Sequence, residues 1–80
     1  MKARIHITLK KSVLDPQGKA IENSLNNLGF HDIKNVRQGK YIEIEIMQTD
    51  KALAHKLIVE ICEKLLANTV IEDYSVELEV

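Results

Sequence analysis

Along residues 3 to 9 apolar and polar side chains alternate. Ala3, Ile5, Ile7 and Leu9 share one side of an extended chain, and Arg4, His6 and Thr8 share the other. A period of two belongs to a strand with one covered face. The period then changes. Asp15-Pro16 predicts a helix start, because Asp caps orphan amides and Pro is tolerated at the first helical position. Ala20, Ile21, Leu25 and Leu28 follow at helical spacing and form one apolar face. Gly29 predicts the end of this helix, with Phe30 folding back on Leu25 as Schellman ends do.

The next stretch predicts a hairpin: a strand over 33 to 37, a tight turn at Gln38-Gly39, and a second strand over 40 to 47. Ile42, Ile44 and Ile46 are expected to face the core, with Glu43 and Glu45 facing away. Thr49 or Asp50 caps a second helix over 51 to 66, whose inner face comprises Ala54, Leu57, Ile58, Ile61, Cys62 and Leu65. Tyr74, Val76, Leu78 and Val80 then alternate with Ser75, Glu77 and Glu79 in a closing strand. The order βαββαβ predicts an α+β, ferredoxin-like domain: a four-stranded antiparallel sheet with both helices on one face. With the first strand central and paired to the last, Arg4 and His6 lie between Glu43/Glu45 and Glu77/Glu79. Opposite charges on neighbouring strands favour that pairing.

Length adds a constraint. Eighty residues make one domain, 1 to 80, with a core that is marginal alone. Cys62 is the single cysteine, so no intrachain disulfide forms, and added burial is expected from partner chains. A lone thiol without a signal-like apolar start fits the cytoplasm. No apolar run is long enough to cross a bilayer. The net charge of −1, from 11 basic and 12 acidic residues, lacks the basic surplus of a nucleic-acid binder. Phe30, Tyr41 and Tyr74 are too few for base stacking.

Reactive constellations are scarce. Ser12, Ser24 and Ser75 have no adjacent His and no nucleophile elbow. Cys62 falls on the apolar face of the second helix and reads as a buried structural thiol. His6, His31 and His55 have no ligand spacing for a metal. Glu43, Glu45, Glu77 and Glu79 read as a solvated or partner-facing sheet surface rather than an acid/base set. No cofactor site is expected on this chain. On the second helix Ala52, His55, Val59, Cys62 and Leu66 form a seam beside the core stripe. It has two readings: contact with the first helix, or self-association through Ala52, His55, Val59 and Leu66. Val70 and Ile71 are open between core lid and interface.

Four stretches carry a resemblance: Val13 to Ala20 entering the first helix, Leu28-Gly29-Phe30 leaving it, Val36 to Tyr41, and Cys62 to Tyr74. Their order and spacing resemble the PurS family, the small subunit of phosphoribosylformylglycinamidine synthase, from end to end. Lys11-Ser12 departs from a Pro-Gly pair common there, and Thr49 to Lys56 is more basic than usual. The resemblance implies a non-catalytic subunit in purine biosynthesis that associates with itself as a dimer or larger oligomer. It also implies bridging of a glutaminase subunit and a large synthetase subunit, with help to ammonia transfer between them. ATP, magnesium and glutamine would be used by those partners. Asp15, Gln17, Arg37, Lys40 and Tyr41, in loops or at a turn, are the candidate partner contacts. For Asp15 a plain helix cap competes with that role, and for Arg37 and Lys40 ordinary solvation does. An ACT-like small-molecule regulatory module shares the predicted strand order and is the alternative; binding of an amino acid by the chain would favour it.

Overall fold

The computed structural model describes residues 1–80. Its elements run β1 (Lys2–Leu9), α1 (Pro16–Asn27), β2 (Gly39–Glu45), α2 (Lys51–Ile61), a π-helical turn (Cys62–Leu66) and β3 (Glu72–Glu79). The sheet has three antiparallel strands in the order β2-β1-β3. β1 is central because its alternation suits a strand paired on both sides and covered on one face. Ala3, Ile5 and Ile7 are wholly buried under α2, against Ala54, Ile58 and Cys62. Burying one such Ile side chain is worth about 1.5–3 kcal/mol.

The four-stranded ferredoxin-like sheet expected from the sequence is not what forms. Residues 33 to 37 make no strand, so there is no hairpin and no turn at Gln38-Gly39; β2 begins at Gly39 itself. The physical reason lies in where this segment's hydrogen bonds go. Asn35 takes a positive φ of 58°, which breaks an extended run. The Val36 amide donates to Glu22 Oε1 (3.3 Å) and the Gln38 amide to Asp15 Oδ2 (2.7 Å). The segment therefore returns along α1 instead of pairing with β2, which becomes an edge strand.

Nor do both helices cover the sheet. Only α2 packs on it; α1 has no substantial packing against strands or α2. The chain extends 49 × 25 × 14 Å with a radius of gyration of 16.0 Å, against about 12 Å for a compact domain of this length. A sheet of eight-residue strands and a twelve-residue helix laid end to end account for that long axis. Ala20, Ile21 and Leu28, expected in the core, are exposed, and Leu25 is half-buried. The helix itself forms as read. Asp15 is its N-cap, Pro16 leads its first turn, and Gly29 (φ 98°) ends it. The Phe30 amide donates to Leu25 O (2.9 Å) and the Gly29 amide to Asn26 O (3.1 Å), a Schellman end. The Phe30 ring nonetheless stays exposed.

Asp50, rather than Thr49, caps α2, accepting from the Ala52 and Leu53 amides. The α-helix stops at Ile61, five residues before the expected end, and the π turn closes with Ala67 N–H donating to Cys62 O (2.9 Å). The wider turn swings Leu65 outward to 79% exposure, although helical spacing had placed it inside. Leu57, also expected inside, is 43% exposed.

Candidate functional site

Two regions gather the polar residues singled out from the sequence. The first is the elbow joining the sheet to α1. Asp15, only 4% exposed, accepts from the Gly18 amide (2.9 Å) and the Gln38 amide (2.7 Å). These backbone donors, that of Gln38 foremost, hold its carboxyl below the usual range, with the Arg37 guanidinium adding to the effect. Arg37 Nη2 donates to three carbonyls, those of Lys10 (2.8 Å), Val13 (3.0 Å) and Leu9 (3.3 Å). Gln38 Nε2 donates to Gln17 Oε1 (2.8 Å). Gly18 sits where α1 touches the returning segment, so close that a Cβ there would lie 2.2 Å from Val36 O. Glu22 is held below its ordinary range by Lys19 and by the Val36 amide. A groove of about 480 Å³ beside the elbow has Lys11, Lys19 and Arg37 on its walls together with Asp15 and Glu22. Of these charges, Lys19 and Glu22 form an ion pair at 3.1 Å, while Asp15 and Arg37 are engaged by backbone groups.

The second region is the helix-free face of the sheet. In register, Arg4 opposes Glu43 on β2 and Glu77 on β3, and Lys2 opposes Glu45 and Glu79. The ion pairs run diagonally: Lys2 to Glu43 at 3.0 Å, and Arg4 to Glu79. The hydrogen bond and charge between them raise Lys2 and lower Glu43 from their ordinary pKa values. His6 lies opposite Tyr41 and Ser75, with its ring 4.9 Å from that of Tyr41. The expected flanking of the basic central strand by two acidic strands is present, on three strands rather than four.

Of the candidate partner contacts, Asp15, Gln17 and Arg37 come together at the elbow. Lys40 lies at its edge, 3.7 Å from Glu72. Tyr41 stands apart on the open sheet face. Asp15 is a saturated cap, and the Arg37 head is engaged by backbone; both hold the elbow's angle. The seam divides as well. Cys62 is wholly buried, Leu66 and Val59 are half-buried, and Ala52 and His55 are exposed. α1 is not its neighbour, so the intramolecular reading of that seam does not hold. Glu63, one turn beyond Val59, lines a shallow surface groove together with Tyr74 of β3. Burial first, and then that carboxylate, push Tyr74 above its ordinary range. Val70, at 81% exposure, is no core lid, and Ile71 is also exposed. Sequence reasoning missed the exposed apolar flank of α2 carrying Leu53 and Leu57. Their spacing of four was the signal, but it is indistinguishable from a core stripe until the sheet's width is known.

Burial pushes the Cys62 thiol up, away from nucleophilic use, and His6 points from the opposite sheet face. No group of three His, Cys, Asp or Glu side chains is arranged to hold a metal ion. No helix is long and apolar enough to cross a membrane.

A three-stranded sheet roofed by one helix, with a second helix held out on a bonded elbow, defines a small α+β protein whose distinctive features are surfaces. A family model described as "PurS: Phosphoribosylformylglycinamidine (FGAM) synthase" matches residues 2–80, and the chain belongs to that family. Phosphoribosylformylglycinamidine synthase subunit PurS of Bacillus subtilis is 49% identical over 78 residues, 98% of this chain and 92% of the relative. A crystal form of B. subtilis PurS superposes with a TM-score of 0.89 at 48% identity, covering 99% of this chain and 98% of that one. A chain of the PurLQS structure from Thermotoga maritima gives 0.87 at 34% identity, covering 95% and 93%. Coverage this complete takes in the projecting arm as well as the sheet.

Proposed function

We propose that this chain, as one domain over residues 1–80, is the PurS subunit of a phosphoribosylformylglycinamidine synthase in purine biosynthesis. In this reading it carries no catalytic group. It joins a glutaminase subunit to an ATP-dependent synthetase subunit and assists ammonia passage between them. ATP, magnesium and glutamine are handled by those partners, and the chain works as a homo-oligomer in the cytoplasm. The observation that carries the reading is the family match across residues 2–80. The relative found within a PurLQS structure supports the assembly role. The internal chemistry supports it too: the one thiol is sealed in the core, and the carboxylates with lowered pKa serve surface ion pairs or the elbow. Gln17, Lys40 and Tyr41 keep outward-facing polar groups suited to partner contact, with Asp15 and Arg37 positioning the loops that present them.

Reconstitution with the two enzymes tests this. Leaving the chain out is expected to abolish glutamine-dependent amidation while sparing the ammonia-dependent reaction. Equal loss of both activities, or no affinity of the chain for either enzyme, overturns it.

A further inference from the structure

The joint between the α1 arm and the sheet is made by side chains, not by a backbone ladder. Pairing of β1 with β2 ends at Thr8 and Gly39. Past that pair the chain leaves the sheet through residues 11–14 and returns through 37–38. No backbone–backbone hydrogen bond joins these two passages. Asp15, closing the outgoing passage, holds the Gln38 amide (2.7 Å) on the return. Arg37, on the return, donates to the Leu9, Lys10 and Val13 carbonyls of the outgoing chain. The Gln38 side chain adds one exposed bond to Gln17. On either side of the joint each part is tied to itself. Lys10 belongs to the sheet, its amide on Ile71 O (2.8 Å) and its ammonium 3.3 Å from Asp73. Val36 belongs to the arm, its amide on Glu22 and its carbonyl against Gly18. The core contains no α1 residue.

We infer that the elbow is a hinge held by this reciprocal clasp, and that opening the clasp lets the arm turn as one piece while the sheet and α2 stay folded. The pivots are the two short passages, and Lys11 and Leu14 in the first are exposed. A few loop residues of this kind suffice to absorb a hinge rotation. The two halves of the clasp are unequal. Asp15 is 4% exposed, so water does not readily replace it, and its loss leaves the Gln38 amide without its acceptor. Arg37 makes its bonds at the surface, where water competes for the same carbonyls. Asp15 is the lock and Arg37 a brace. The clasp gives the arm one resting direction and leaves it adjustable by a surface that meets it. This goes beyond the proposed function and holds whichever enzymes the chain meets.

Energy transfer between dyes on Asn27→Cys in α1 and His55→Cys in α2, both exposed positions, measures the arm's direction; Cys62 is buried and stays unlabelled. The labelled full chain is measured at high dilution and again in excess unlabelled chain, which reads distances within one copy without and with neighbours. Donor decay on the nanosecond scale resolves arm positions that interchange on the μs–ms scale of hinge motion. The parent is expected to give one narrow distance distribution. Asp15→Asn keeps a capping oxygen for Gly18 but turns an NH2 group on the Gln38 amide. It is expected to widen the distribution at high dilution at least about twofold, with α1 intact by circular dichroism and Cys62 still protected from thiol reagents. Arg37→Ala is expected to widen it less; a wider spread than that of Asp15→Asn overturns the ranking of lock and brace. A narrow, parent-like distribution in the folded Asp15→Asn chain overturns the hinge. So does a parent as broad as its variants, or a core that unfolds with either substitution.

Discussion

Replacing Gly18 with Ala sets two effects of opposite sign against each other at one position. Gly18 lies inside α1, where Ala is normally better by about 1 kcal/mol through backbone entropy. An exposed helix would therefore gain stability. Here the added methyl would lie 2.2 Å from Val36 O, 2.9 Å from its carbonyl carbon and 3.1 Å from Arg37 Cα. All three are backbone atoms, so no rotamer change relieves the collision. Overpacking costs typically about 1–3 kcal/mol, and backing the returning segment away would stretch the bonds that Val36 and Gln38 donate to the arm. Collision is expected to win, with a net loss of about 1–2 kcal/mol. For a domain of this size that lowers Tm by about 5–15 °C.

The assay is thermal unfolding followed by circular dichroism at one fixed protein concentration, because association makes Tm concentration-dependent. Amide exchange at Gln38 supplies a local readout, expected to accelerate before the β1 amides do. Gly29 is the control. A Cβ there meets nothing within 4 Å, and its cost comes from the φ of 98° alone. Asn, which tolerates left-handed conformations better than Ala, is expected to rescue position 29 in part. At position 18 the larger Asn is expected to do worse than Ala. A Gly18→Ala chain with unchanged or raised Tm would refute the close approach of α1 to the returning segment, and with it the account of why residues 33 to 37 form no strand.

Two further outcomes are expected. The Asp15 carboxyl titrates below its usual value of 3.8 in the folded chain, so its contribution is complete above that value and is lost as pH falls through the lower folded pKa. Asp15→Asn should flatten this acid limb in pH-dependent denaturation, and an unchanged limb would place the linkage elsewhere. Cys62 should resist thiol reagents in the native protein and react at once in denaturant, since it is wholly buried and its thiol pKa is raised; a rapid native reaction would contradict its place in the core.

β1 was legible because its pattern has one meaning. Ala3, Ile5 and Ile7 need cover on one side, and Arg4 suits acidic neighbours on both. The Asp15 cap and the Gly29 end were legible for a similar reason, being satisfied by residues a few positions away. The strand expected over 33 to 37 failed because the Val36 amide bonds to Glu22, 14 residues back, and the Gln38 amide just beyond it bonds to Asp15, 23 residues back. Hydrophobic alternation carries no record of such bonds, and Asn35 was the only local hint. The inner face of α2 failed at Leu65, where one turn of π geometry resets the helical phase. For α1 the secondary structure was readable and the destination was not: an apolar stripe of Ile21, Leu25 and Leu28 looks the same whether it covers its own sheet or another chain's.

That ambiguity bears on how the fold divides its tasks. The core of Ala3, Ile5 and Ile7 against Ala54, Ile58 and Cys62 contains nothing from α1. The arm is fixed through hydrogen bonds at the elbow, so its outward apolar residues contribute little to holding the sheet together. Side chains on that stripe can therefore change without unfolding the core, which makes substitutions at Ile21 or Leu28 probes of association, unlike those at Ile5 or Ile58. In a small chain whose burial is marginal, placing apolar residues outside the core has a thermodynamic cost in water that only another surface offsets. The elbow settles the direction in which that surface must come.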